Sequence, residues 1–337
     1  MNIDMAALRA VEKQESVDFD DLLEGVKRGL REAYRANSHF TGPVDVDIDP
    51  ISGEVTIYQV EKDEEGNVTG RIDDTPKNFG RDGALAVREA IRYRINSARV
   101  QSRYDEYAEL RYRVVSGVVS ADARANERGV TVVHLGTEAR GQDGQILPAE
   151  HLPGEKLEHG MRVKAFVTDV INNANRMVQI NLSRTHPELV KGLFALEVPE
   201  VADGSVEIVS VAREAGHRTK IAVRSTVKGL NAKGACIGPR GQRVSNIMHE
   251  LGGEKIDIID FSDDPATFVG NALSPSKIVS VKVTDPEMQI ARAVVPDYQL
   301  SLAIGREGQN ARLAARLTGW KIDIRSETDA AAEDTPS

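Results

Sequence analysis

Apolar and polar residues follow three different rhythms along this chain, and the changes of rhythm divide it. In the first 37 residues apolar positions recur at helical intervals: Ile3, Leu8 and Val11 mark one helix, and Leu22, Leu23, Val26, Leu30, Ala33 and Tyr34 stripe a second that Ser16 or Asp18 can cap. The period then drops to two. Val44, Val46 and Ile48 alternate with Asp45, Asp47 and Asp49, and after a turn at Asp49-Pro50-Ile51-Ser52-Gly53 a partner strand returns through Val55, Ile57 and Gln59. From about Arg81 to Leu110 the chain lacks proline and is rich in Ala, Arg and Glu. This predicts one helix of roughly 45 Å, a rigid arm with Arg88, Arg92, Arg99 and Arg103 on a basic face. Residues 112–184 break into five short apolar strands, at 114–119, 130–135, 145–148, 163–167 and 178–183, the count of a small OB barrel.

Beyond residue 184 the pattern occurs twice. Helices opened by Pro187 and Pro265 each lead into two alternating strands, a short helix, a Gly-x-x-Gly turn, an amphipathic helix and a last strand, Lys255-Ile256-Asp257-Ile258 or Lys321-Ile322-Asp323-Ile324. The turns are Ile237-Gly238-Pro239-Arg240-Gly241-Gln242 and Ile304-Gly305-Arg306-Glu307-Gly308-Gln309, with both glycines displaced by 67 residues. With 28 glycines in the chain such spacing also arises by chance, at Gly80 to Gly83 and at Gly141 to Gly144, but without the repeated surroundings. The duplicated block resembles a tandem pair of type II KH domains. That resemblance implies a backbone clamp on the sugar-phosphate of about four nucleotides, formed where glycine lets backbone approach backbone. The candidate RNA-binding residues are Ile237, Gly238, Pro239, Arg240, Gly241 and Arg243 in the first copy, and Ile304, Gly305, Arg306, Gly308 and Gln309 in the second. Bases would lie on an apolar groove of Ile237, Val244, Ile247 and Ile256, or of Ile304, Ala311 and Ile322.

A net charge of -9, read as one number, argues against nucleic acid, but its division by segment reverses that argument. Residues 205–256 hold nine Lys/Arg against four Asp/Glu, residues 276–325 eight against five, and residues 77–113 nine against five. The acid is concentrated at 41–75, with ten against two, and beyond Ser326, with four against none. Phosphate responds to the local surface, which is basic in both copies. Cys236, the only cysteine, precludes an internal disulfide and is expected to pack beside the first turn. Asp45, Asp47 and Asp49 could bind a divalent metal, as a nuclease would, but a solvated sheet face explains their alternation equally, and no metal or cofactor is assigned. No run approaches a membrane span and the first residues lack a signal peptide's pattern, so a cytoplasmic, non-membrane protein is expected.

The barrel region is similar to RNA-binding OB domains of the S-one type, in Gly117, Leu147-Pro148, Pro153-Gly154-Glu155, Gly160 and Leu182-Ser183-Arg184. Thr131, Val133, Gln145 and Ile146 stand where stacking aromatics are expected, so weak RNA affinity is anticipated from it. The whole order resembles the NusA family of bacterial transcription elongation and termination factors. The resemblance is densest at Ser183-Arg184-Thr185, Glu197-Val198-Pro199, Val211-Ala212-Arg213-Glu214-Ala215-Gly216, Gly234 to Gly241 and Gly253 to Ile258. It implies a multidomain α+β chain. Residues 1–110 would be an RNA polymerase-binding helix-strand module with its long helix, 111–184 an S-one barrel, 185–262 and 263–326 the two KH domains, and 327–337 a disordered acidic tail. It further implies a monomeric, non-enzymatic factor that docks on RNA polymerase core near the RNA exit channel. Nascent single-stranded RNA would be held on its OB-KH-KH surface, modulating pausing, termination and antitermination, with other elongation and antitermination factors as further partners. A ribosome- or decay-associated RNA binder is the alternative, and Glu307 is expected to make the second clamp the weaker.

Overall fold

The computed structural model describes residues 1–38, 40–63, 65–122, 127–137, 141–173 and 177–333. Two compact units emerge, Met1–Glu109 with Ile171–Val178, and Leu110–Val170 with Gln179–Ser337. In the first, the carboxylates of Asp4 and Asp18 accept from Ala7 N and Asp21 N at 2.9 and 3.0 Å, opening helices α1 (Met5–Glu15) and α2 (Phe19–Ser38). Ser16 instead terminates α1 in the left-handed region, at φ 52°. Leu22, Val26, Leu30 and Tyr34 are buried in one cluster with the inward residues of β1 (Val44–Ile48) and β2 (Val55–Lys62). A third strand, β3 (Val68–Asp73), completes the sheet in the order β1-β2-β3. It falls outside the expected elements, because Val68 and Ile72 are its only large apolar residues and its positions are almost all exposed.

The long helix is α3 (Gly80–Ala108), 29 residues. Val87, Ala90, Ile91 and Ile95 pack against the core around α2, so the helix is seated on its own unit rather than projecting as a free arm. Arg99, expected on a basic face, is bound to Glu15 by two bonds of 2.8 and 2.7 Å. Asp45 and Asp47 lie in β1 and Asp49 just past it, and Asp47 accepts from Ile48 N at 3.0 Å. Asp45 lies 3.2 Å from Arg71, whereas Asp49 accepts from Ile51 N, Ser52 N and Ser52 Oγ and thereby folds the turn. Those three bonds, the backbone bond from Ser52 foremost, hold the Asp49 carboxyl below its ordinary pKa. Among the described residues no group of three His, Cys, Asp or Glu could hold a metal ion. No helix among them is long and apolar enough to cross a membrane.

The second unit begins with a closed barrel of β4 (Val114–Val119), β5 (Thr131–Leu135), β6 (Gln142–Ile146), β7 (Arg162–Asn172) and β8 (Val178–Ser183). The strand order is β4-β5-β6-β8-β7, with β6 and β8 parallel. Val133 and Ile146, expected on the outer platform, are 1% and 0% exposed and fill the interior. Alternation places Gln145 outside, where it donates to Asn181 at 3.0 Å, whereas Thr131 shares the inward face of Val133 and bonds His151 at 2.8 Å.

Two copies of one topology follow. The first comprises α4 (Pro187–Glu197), a short α5 (Pro199–Ala202), β9 (Val206–Glu214), β10 (Arg218–Ser225), α6 (Ala232–Ile237), α7 (Gln242–Glu250) and β11 (Lys255–Asp260). The second comprises α8 (Pro265–Ala272), β12 (Ser280–Asp285), β13 (Ile290–Val295), α9 (Leu300–Ile304), α10 (Gln309–Thr318) and β14 (Lys321–Ser326). In each, a hairpin pairs the first two strands antiparallel, while the helix pair carries the chain back so that the third runs parallel to the middle one. This is the type II KH arrangement. The acidic stretch after it does not begin as a disordered tail: Glu327–Glu333 form α11, and Thr328 Oγ1 donates to Asp297 at 2.7 Å. Residues 334–337 of that stretch lie outside the described residues.

The modules of this unit share interiors. Leu313, Ala314 and Leu317 of α10 are buried in one cluster with Ala212, Ala222 and Ile259 on the first sheet. Ser210 Oγ donates to Leu317 O at 3.0 Å, and the buried Lys220 ammonium to Ser274 O at 2.6 Å. Arg184, 2% exposed, joins barrel to first KH domain by donating to Glu155, to Glu250 and to the carbonyls of Lys164 and Glu250. A buried guanidinium is tolerable only when its donors are met in this way.

Candidate RNA interface

Both Gly-x-x-Gly turns have the same backbone. Gly238 has φ 74° and ψ 176°, and Gly305 has φ 79° and ψ 169°, a region open essentially to glycine alone. Gly241 and Gly308 follow at φ 77° and 73°, each N–H donating 3.1 Å to the carbonyl of the first glycine of its turn. Between them Arg240 and Glu307 are left-handed at φ 53°, a conformation that non-glycine residues seldom adopt. Two unlike sequences are thereby held in one shape. The second residue of the turn, in each case, points away from packed protein: Arg240 and Glu307 are both exposed.

Each turn is backed by the residue two beyond its last glycine, and here the copies part. A Cβ on Gly238 would lie 2.5 Å from Arg243 Cγ; on Gly305 it would lie 2.8 Å from the backbone N of Asn310. Arg243 is not turned outward. Its Nη1 donates to Glu200 at 2.9 Å and to Ala235 O at 2.8 Å, so it ties the turn to α5 and the end of α6. The buried Asn310 donates through Nδ2 to Leu273 O and Ala303 O, both at 3.0 Å. Gln309 is engaged as well, donating to Glu214 of the first domain at 2.8 Å. Pro239, Arg240, Ile304 and Arg306 are the candidate side chains that remain outward, and Arg306, with a 93% exposed side chain, lies 3.8 Å from Glu307.

The apolar lips agree with the expected groove in part. Ile237, Val244 and Ile256 are half-buried at the edge of the first core, and Ile304 is 39% exposed. Ile247 is 1% exposed and belongs to the core, because the helical stripe has a buried centre as well as an edge. Cys236 does pack beside the turn. Its thiol is buried, and burial pushes its pKa up to about 11, so it is neutral and inert at ordinary pH. Beyond the far end of the helix that follows the first turn, Arg213 and Glu254 form an ion pair, 1% and 0% exposed, at 2.9 Å, and Thr219 and Gly216 N also donate to Glu254. The runs around Arg213 and Glu254 therefore serve the scaffold.

Arg312, Glu214 and Glu200 were not recognised as part of the site. Arg312 stands four residues after Gly308, one helical turn on, which was a usable signal. Glu214 and Glu200 reach the turns from elsewhere in the chain, and spacing carries no trace of that.

Residues 184–261 match the NusA-like first KH domain and residues 265–332 the NusA-like second KH domain. The chain is 56% identical over 327 residues to the transcription termination/antitermination protein NusA of Mycobacterium tuberculosis, covering 97% of this chain and 94% of that protein. The protein of the same name from Bacillus subtilis is 39% identical over 348 residues, covering 96% and 91%. That from Halalkalibacterium halodurans is 40% identical over 349 residues, covering 97% and 88%.

Proposed function

The chain belongs to the NusA family of transcription termination/antitermination proteins, and from that premise we propose that it docks on RNA polymerase core through its N-terminal unit while holding nascent single-stranded RNA on the barrel and KH pair. It is a transcription factor and not an enzyme. The observation that carries the RNA-holding half is the pair of superimposable Gly-x-x-Gly backbones within one compact unit, each beside an apolar lip and a locally basic surface. Backbone N–H groups at such turns donate to phosphate without reading sequence, and the lip takes the face of a base. The barrel lacks aromatics at its outward positions Val132 and Gln145, so the KH pair supplies most of the affinity. Emerging RNA held in this way would bias pausing, termination and antitermination by restraining the strand as it leaves the enzyme, and other elongation factors would join on the same assembly.

The docking half is supported by the separate core of the first unit, which folds α1, α2, α3 and the sheet around Leu22, Val26 and Leu30 without help from the KH pair. Capture of RNA polymerase core by the full chain, and its loss on deleting residues 1–109 with single-stranded RNA binding kept, is the expected result. Co-purification with ribosomes in place of polymerase would favour the ribosome-associated reading and overturn this one.

A further inference from the structure

Glu214 ends β9 in the first KH domain, yet both its oxygens are spent on the second. Oε1 accepts from Arg312 Nε at 2.6 Å, and Oε2 accepts from Gln309 Nε2 at 2.8 Å. Gln309 directly follows the last glycine of the second turn, and Arg312 Nη1 also donates to the Glu307 carbonyl within that turn at 3.1 Å. The carboxylate therefore lies at the second clamp. The first clamp is held differently: the carboxylate beside it, Glu200, belongs to its own domain and takes Arg243 at 2.9 Å, while Gln242, at the place of Gln309, bonds Asn246 of its own helix at 2.7 Å, and Ser245 stands at the place of Arg312.

A carboxylate gripped by a guanidinium and an amide has the charge and fork geometry of a phosphate in the same grip. Arg312 is 43% exposed, so a strand lying on the second turn can reach it. The domains do not depend on Glu214 for their junction, which rests on the shared apolar cluster and the Ser210 and Lys220 bonds described above. The bond from Arg312 also keeps the Glu214 carboxyl below its ordinary pKa, so the competitor stays charged at neutral pH.

We propose that Glu214 is a built-in competitor for RNA phosphate at the second clamp, occupying Arg312 and Gln309 in the free protein and giving up Arg312 when a strand is bound there. This rests on the RNA-holding function proposed above. It makes the second clamp weaker than its backbone alone would make it, and it makes engagement of that clamp cost a contact between the two KH domains.

The test is a double-mutant cycle on the full chain with Glu214→Gln and Arg312→Gln, reading affinity for a single-stranded RNA long enough to span both turns against salt concentration. Glu214→Gln should raise affinity by about fivefold at 0.1 M salt, the worth of one single-strand phosphate contact no longer competed for, with the slope of log K against log salt unchanged because Arg312 meets phosphate in both complexes. Arg312→Gln should change little in the wild-type background and remove the gain in the Glu214→Gln background. Circular dichroism and thermal melting control for folding, and Glu214→Ala serves as a second variant should the glutamine change perturb the junction. Lower affinity in both Glu214 variants, or an Arg312→Gln effect of equal size in both backgrounds, overturns the proposal. If the wild-type chain binds no single-stranded RNA, the RNA-holding function itself fails, and that outcome is distinct because it is read without any variant.

Discussion

The first and second KH domains put nearly identical turns on different supports. In the first domain, a buried ion pair of Arg213 and Glu254 holds the scaffold and an arginine, Arg243, backs the turn; in the second, Trp320 stands at the place of Glu254 and the small buried Asn310 at the place of Arg243. The first turn carries Pro239 and Arg240, and the second carries Arg306 beside Glu307 with Glu214 reaching in from outside. Backbone shape is thus reproduced by two glycines whatever lies beneath, while the charge a phosphate meets is set separately in each copy. A duplicated fold can keep one geometry and diverge in electrostatics, since surface charges change at little cost to stability and turn dihedrals do not.

The widest gap between the copies should appear on breaking the ion pair that only the first contains. Glu254→Ala leaves Arg213 buried without its partner and should cost about 3–5 kcal/mol, read by urea unfolding. Trp320→Leu in the second copy, where no charge is stranded, should cost less.

Alanine at the first glycine of each turn probes shared geometry against different walls. Both changes force an L-residue into a region costing of order 1–3 kcal/mol. Gly305→Ala should be the worse, because its Cβ meets backbone at Asn310, whereas Gly238→Ala meets the Arg243 side chain, which can shift. Thermal midpoints of the two variants rank them, and equal losses would show that the wall does not matter.

Charge in the turns should separate the copies in binding rather than in folding. Pro239→Asp with Arg240→Asp should lower single-stranded RNA affinity by about tenfold and make its salt dependence shallower, with circular dichroism unchanged. The same double change at Arg306 and Glu307 should cost only a fraction of that, because one acid is present already. A wild-type affinity in the Pro239/Arg240 variant would reduce the first turn to a structural corner.

The smallest difference lies behind the turns, where Cys236 matches the buried Ala303. Burial raises the thiol pKa from its ordinary value to about 11. The folded state therefore keeps the proton longer than the unfolded one, and the related stability is complete below pH 9 and falls between about pH 9 and 11. Cys236→Ala should flatten that decline in urea titrations at high pH and shift stability at pH 7 by about 1 kcal/mol or less.

Much of this architecture was readable in advance for identifiable reasons. Proline at 187 and 265, glycine pairs at a fixed displacement and alternating strands are local signals, and each produced its element where expected. The third strand of the N-terminal sheet escaped notice because Val68 to Asp73 is exposed, and alternation reveals a strand only when one face is buried. The barrel platform was misassigned at Val133 and Ile146 because period two says that residues alternate without saying which set faces in. A similar limit applied to Ile247, which shares its helical stripe with the groove residue Val244.

Residue order alone was enough to establish the two turns, their glycines and their topology, because a left-handed backbone and a hairpin are decided within a few residues. Which cations are already paired was settled only by folding. Arg243 is held by Glu200, Arg99 by Glu15, and Arg312 and Gln309 by Glu214, which lies 98 and 95 residues away along the chain. An ion pair depends on distance in space, and the chain returns to itself through sheet pairing and shared cores that no short window contains.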